Sequence, residues 1–134
     1  MADETPNPRI WLTLRARDAH ALIRFLVDAF GFEETVVYAD GDTVHHAQLA
    51  WPPGGGIMLG TAREGTPWSQ QPGTSAAYVV TDDPDALHQR AKAAGAEIVA
   101  APVDQEYGSR EFIARDPEGN LWSFGTYRGE PRKG

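Results

Sequence analysis

The sequence predicts an α+β fold: two βαβββ modules forming a curled mixed sheet around a concave trough, with the helices on the outside. Three observations lead there. Short segments with apolar residues at every second position alternate with two segments at helical spacing. The helix-capping aspartates Asp18 and Asp83 recur about 65 residues apart, as do the helix-stopping glycines Gly31 and Gly95. Each stop opens a similar tripeptide, Gly31-Phe32-Glu33 and Gly95-Ala96-Glu97. Neither half is large enough to bury a stable core alone, so the two must share one.

Ile10 to Arg15 reads as the first strand, with Ile10, Leu12 and Leu14 on one face and Trp11, Thr13 and Arg15 on the other. Asp18 caps a helix whose Leu22, Phe25, Leu26, Ala29 and Phe30 form one apolar stripe, and Gly31 stops it. Glu34 to Ala39 and Thr43 to Trp51 pair through the turn Asp40-Gly41-Asp42. After the turn Pro52 to Gly56 comes a fourth strand, Ile57 to Gly60. Residues 61–74 are rich in Gly, Pro, Ser and Gln and read as a linker. The order then repeats. Ser75 to Thr81 is a strand, and Asp83-Pro84 opens a helix carrying Leu87, Ala91 and Ala94. Glu97 to Ala101, Arg110 to Arg115 and Leu121 to Tyr127 are strands, the last two joined by the turn Asp116 to Asn120. The modules are therefore 9–60 and 75–127, between a flexible N-terminus (1–8) and a polar tail (128–134).

With 134 residues, 41% hydrophobic and 23% charged, the chain has the composition of one globular domain. Twelve Lys+Arg against nineteen Asp+Glu give a net charge of −7, which argues against nucleic acid as a partner. No apolar run reaches membrane-spanning length, and Met1 to Pro8 lacks the pattern of a signal peptide, so a membrane is excluded and a cytoplasmic location expected. The absence of cysteine removes disulfides, thiolate nucleophiles and zinc–thiolate sites. No Gly-x-Ser-x-Gly elbow or phosphate loop occurs, Gly54-Gly55-Gly56 being a plain turn.

What remains is an aromatic-rich concavity. Alternation points Trp11, Met58 and Tyr78 into the trough, where aromatic faces bury large area and stack on flat or cationic ligands. Trp68, an indole inside a polar linker, is expected to lie over the trough or at a dimer interface. Tyr107 offers a face and a hydroxyl, and Arg110 a fork of donors, the alternative for Arg110 being an ion pair with Glu106 or Glu111. His46 and Gln48 share a strand face, whereas adjacent His45 and His46 should point to opposite faces. Trp122 and Phe124 should pack under a helix, and Asp116 and Asn120 should form a turn without further role.

Two stretches carry a family resemblance: Asp83-Pro84-Asp85-Ala86-Leu87 leading to Ala93-Ala94-Gly95-Ala96-Glu97, and Arg115-Asp116-Pro117-Glu118-Gly119-Asn120-Leu121-Trp122. With the duplicated element order, they make the chain from Ile10 to Tyr127 resemble the vicinal oxygen chelate superfamily of glyoxalase I, extradiol dioxygenases and bleomycin-resistance proteins. Both stretches are a cap, a stop and a turn, so they identify a fold and not a chemistry. The resemblance implies a divalent metal held by His, Glu or Gln from the first and last strands of each module. Those positions fall here on Trp11, Met58, Ala76 and Ser123, a set unsuited to such an ion. The expectation is therefore a glyoxalase/bleomycin-resistance-like protein, homodimeric, with no cofactor. It would bind a small planar or cationic organic molecule through Trp11, His46, Gln48, Met58, Trp68, Tyr78, Tyr107 and Arg110. The alternative is a metal-dependent isomerase, lyase or dioxygenase of the same superfamily, its site shifted to His46, Gln48 and Glu106.

Overall fold

The computed structural model describes residues 8–133, so the flexible segment expected over 1–8 and the end of the polar tail lie largely outside the described residues. The elements are β1 (Leu12–Ala16), α1 (Ala19–Phe25), β2 (Glu33–Asp40), β3 (Thr43–Ala50), β4 (Gly56–Thr61), β5 (Ala76–Val80), α2 (Pro84–Ala93), β6 (Glu97–Asp104), β7 (Arg110–Arg115) and β8 (Leu121–Gly125). They form two four-stranded sheets with the same order, β1-β4-β3-β2 and β5-β8-β7-β6. In each, the first strand lies parallel to the last, and the hairpin neighbours are antiparallel. Both sheets are thus mixed, and the duplication read from the caps holds in topology.

Local chemistry explains the boundaries. The Asp18 carboxylate accepts from Ala21 N–H at 3.1 Å and the Asp83 carboxylate from Ala86 N–H at 3.0 Å, satisfying donors that a helix start leaves free. Only the first turns of the first helix are α. Leu26 to Phe30 widen into a π turn that ends at Gly31, whose φ of 86° suits a residue without Cβ. Ile10 departs from its expected place. The strand starts at Leu12, and Ile10 lies ahead of it, 87% exposed.

One face of each sheet packs against the helices. Leu14, Ala16, Val44, Ala47, Leu49, Ile57 and Leu59 of the first sheet are buried, as are Phe112, Ala114, Trp122 and Phe124 of the second. Phe30, from the π turn of the first module, joins the halves: its ring lies 4.7 Å from Phe124 and 5.7 Å from Trp122, centroid to centroid. Trp122 and Phe124 are therefore core, as alternation predicts. Trp51, which alternation did not assign to the core, packs on Phe32 and Phe124 while its indole N–H donates to the Val80 carbonyl at 3.0 Å.

Polar ties also cross between modules. Glu118, in the β7–β8 turn, accepts from the backbone N–H of Arg17 (2.8 Å) and of Asp18 (3.0 Å) and from the Arg17 guanidinium (2.9 Å). Arg90 of α2 donates to the carbonyls of Val27 (3.0 Å) and Asp28 (2.9 Å) where the first helix ends. Asp116 gathers the turn below Trp122, accepting three backbone N–H groups, the Asn120 amide and the Trp122 indole at 2.9–3.0 Å. Among the described residues, no helix is long and apolar enough to cross a membrane.

Candidate functional site

With the core on the helix side, the opposite face of the first sheet is left to the odd-numbered residues of β1 and their neighbours. Thr13 stands beside Met58 and Arg15 beside Gly60. The two glycines of β4 are structurally required here. A Cβ at Gly56 would meet the Trp11 ring at 2.6 Å, and one at Gly60 would meet Arg15 Nη1 at 2.6 Å. The flat groups of Trp11 and Arg15 therefore lie directly on the β4 backbone.

β3 contributes an irregularity. The pairing with β2 slips between Tyr38 and Ala39, which face His46 and Val44 and leave His45 as an extra, unpaired residue. Val44 and Ala47 on either side are both fully buried, so the two intervening histidines both face away from the core. This corrects the expectation that His45 and His46 occupy opposite faces; strict alternation ends at a bulge. His46 stacks on Tyr38, and its Nε2 accepts from the Gln48 amide at 2.9 Å in the side-chain orientations present.

These groups enclose a depression of about 250 Å³ lined by Thr13, Arg15, His45, His46, Met58, Arg63 and Trp68. The linker forms one wall. Gln70 donates to the Thr13 carbonyl at 3.4 Å, Arg63 donates to the His45 carbonyl at 3.1 Å, and Trp68 stands there with 57% of its surface exposed. Arg15 Nε and Nη1 are buried without any hydrogen-bond acceptor. Burial first, and the neighbouring Arg63 charge second, pull the Arg15 guanidinium below its ordinary pKa. Among the described residues no Asp or Glu lines the depression, so their charge there is basic within a chain of net charge −7.

A second depression, of about 450 Å³, lies where the modules meet. It takes in Tyr78, Trp51, Gly54 to Gly56, Val80 and the ion pair of Asp82 with Arg128. Tyr78 donates to the Tyr127 carbonyl at 2.8 Å, and burial raises its phenol pKa.

The predicted residues thus divide. His46, Met58 and Trp68 come together in the basic depression, with Gln48 bonded to His46, whereas Trp11 lies on Gly56, which lines the junction depression. Tyr78 belongs to the junction. Tyr107 and Arg110 line neither depression. The Tyr107 hydroxyl donates to Glu111 at 2.6 Å, a bond that pushes its pKa up to about 12. The Arg110 fork holds Asp85 at 2.8 and 3.0 Å and also reaches Asp104 at 3.2 Å, bonds that raise its pKa. Its partners are these two aspartates and not Glu106 or Glu111. Glu106 is exposed in the β6–β7 turn of the other sheet. Arg15, Arg63 and His45 went unselected. Arg15 shares a face with Trp11 by simple alternation, but nothing local signals that Arg63 folds back against it.

A family model for the glyoxalase/bleomycin resistance protein/dioxygenase superfamily matches residues 10–124. The chain belongs to that superfamily. An uncharacterized protein of Mycobacterium bovis is 34% identical over 122 residues, covering 81% of this chain and 76% of its own. The anthracycline biosynthesis protein DnrV of Streptomyces peucetius is 27% identical over 139 residues, and the match spans 92% of this chain but 50% of DnrV. Among solved structures, TioX from Micromonospora sp. ML1 superimposes with a TM-score of 0.74 at 29% identity, covering 89% of this chain and 98% of TioX. Glyoxalase I from Zea mays gives 0.69 at 19% identity, covering 89% of this chain and 45% of the enzyme, a likeness of fold alone.

The superfamily's metal chemistry can be tested against the side chains present. Trp11 offers an indole ring pressed on Gly56, Met58 a thioether, Ala76 a methyl group, and Ser123 a lone hydroxyl beside Tyr78. This donor set does not fit a hard or borderline divalent ion.

Proposed function

We propose that this superfamily member binds a small planar organic molecule on the helix-free face of its first sheet, without a metal and without turnover. The observation that carries this reading is the depression under Trp68, where a half-exposed indole faces Met58 and the paired histidines. An exposed indole that a linker presents over a cavity gains most when a flat surface covers it. The likeness to DnrV, a protein of anthracycline biosynthesis, supports an aromatic natural product as the ligand class, with an antibiotic as one instance. The cationic ligand expected from stacking on aromatic faces is disfavoured at this depression by Arg15 and Arg63. A cytoplasmic homodimer completes the proposal. Exposed Val99, Val103 and Tyr78 on the second sheet supply apolar surface for a second copy, and size-exclusion chromatography with light scattering tests it.

The test of the binding reading is a broad panel of aromatic compounds followed by thermal shift and tryptophan fluorescence. At least one compound should raise the melting temperature of the parent, and Trp68→Ala should lose that shift. A panel without a single hit overturns the reading. Elemental analysis of protein purified without chelators should find substoichiometric Zn, Ni, Mn and Fe, and a stoichiometric metal would replace the proposal with the enzymatic alternative.

A further inference from the structure

We propose that the depression framed by Arg15, Arg63, His45, His46, Met58 and Trp68 is a subsite for the oxyanion of a small aromatic acid, an aryl carboxylate. This deepens the binding reading above and rests on it.

Three independent features of the site converge. The first is charge. Two guanidiniums and two imidazoles meet in one concavity that, among the described residues, no carboxylate lines, although acidic residues outnumber basic ones in the chain. Elsewhere in the fold four arginines have carboxylate partners: Arg17 with Glu118, Arg110 with Asp85 and Asp104, Arg115 with Glu97, Arg128 with Asp82. The junction depression illustrates the contrast, because its Arg128 already has Asp82.

The second feature is an unmet need. Arg15 Nε and Nη1 are buried and have no acceptor among the described residues, and such groups are uncommon in a folded protein because each leaves a desolvation cost unrecovered. The rest of the structure does not compel this arrangement by accident of length. Gly60 leaves bare backbone under the guanidinium, so Arg15 lies flat on the sheet instead of extending into water. Arg63 is anchored beside it through the His45 carbonyl, which holds two like charges at one site. An oxyanion seated between them supplies the negative charge that no side chain there provides, and planar guanidinium forks suit a carboxylate.

The third feature is shape. The volume of about 250 Å³ is below the roughly 300–1,000 Å³ of sites for drug-sized ligands, so one ring system and its acid group fill it. Trp68 and Met58 supply the apolar wall for the ring, and the bulge at His45–His46 brings a second imidazole to the rim. A larger natural product would place only its acidic ring here.

The experiment uses the full chain and three isosteric probes: 2-naphthoate, uncharged 2-naphthamide and cationic 2-naphthylmethylammonium, compared by isothermal titration calorimetry at low and high salt. Naphthoate should bind at least about tenfold tighter than either analogue, with the preference shrinking as salt rises. Arg15→Met and Arg63→Gln should each lose about tenfold or more for naphthoate and leave naphthamide within about twofold. Circular dichroism of both variants checks that the fold is retained, and Arg63→Gln, at an exposed position, keeps the test decisive if Arg15→Met misfolds. Equal binding of the three probes overturns the anion assignment while the binding reading stands. Failure of naphthoate to bind at millimolar concentration, while a compound of the aromatic panel does bind, overturns the assignment in the same way. Failure of every compound overturns both.

Discussion

Arg15→Met separates the cost of a binding residue from its use. Methionine keeps most of the aliphatic stem and deletes the guanidinium that lies over Gly60. Each buried, unsatisfied donor costs about 1–3 kcal/mol. Arg15 has two such donors, but the residue as a whole is only partly buried, and solvent screens its repulsion by Arg63, so the low end applies. The ligand-free variant should therefore be more stable than the parent by about 1–2 kcal/mol, a rise of about 3 °C in melting temperature per kcal/mol for a domain of this size. Urea and thermal denaturation at low ionic strength measure it. Sulfate should narrow the gap by stabilising the parent more than the variant. A variant less stable than the parent by about 1 kcal/mol or more would refute the reasoning, since it would mean that the guanidinium stabilises the empty protein and asks for no counter-ion. A gain in stability coupled to loss of naphthoate affinity is the pattern expected of a site that stores strain for a ligand.

Three other outcomes follow from the same geometry. At Glu118, burial raises the carboxyl pKa, but bonds from Arg17 and Asp18 outweigh it and hold the group below its ordinary value of 4.5; its stabilising contribution is present above that value and is lost as pH falls through the depressed one. Glu118→Gln should be less stable than the parent near neutral pH, with a flatter loss of stability on acidification, measured by urea melts across the acid range. Asp116→Ala strands the buried Trp122 indole N–H and the Asn120 amide and should cost about 3–5 kcal/mol by the same melts. Gly56→Ala forces a Cβ to within 2.8 Å of the Leu49 carbonyl and 2.6 Å of Trp11, and should cost about 1–3 kcal/mol while shifting tryptophan emission as Trp11 is displaced.

Much of this architecture is legible because it is encoded by residues acting within a few positions of one another. Asp18 and Asp83 reach the N–H three residues on, Gly31 adopts a left-handed conformation, and alternation sorts Leu12 and Leu14 from Thr13 and Arg15. Local rules fail where partners are distant. Trp51 reads as a turn-side residue until Phe32, Phe124 and the Val80 carbonyl come to meet it. Arg110 reads as a free donor beside the pocket until α2 presents Asp85, twenty-five positions earlier. The bulge at His45 depends on how β2 pairs, which no alternation pattern in β3 alone reveals.

The amino-acid order by itself determined the duplicated element order and the faces of the regular strands. Those are properties of residue type and short spacing, set by backbone sterics and side-chain chemistry. Tertiary structure alone decided the sign of the site. Whether Arg15 is neutralised depends on which side chains the fold brings within a few ångströms of it, and among the described residues the fold brings Arg63 and two histidines and no carboxylate. Coulomb interactions act through space and not along the chain, so an acidic sequence can still fold around a positively charged hollow.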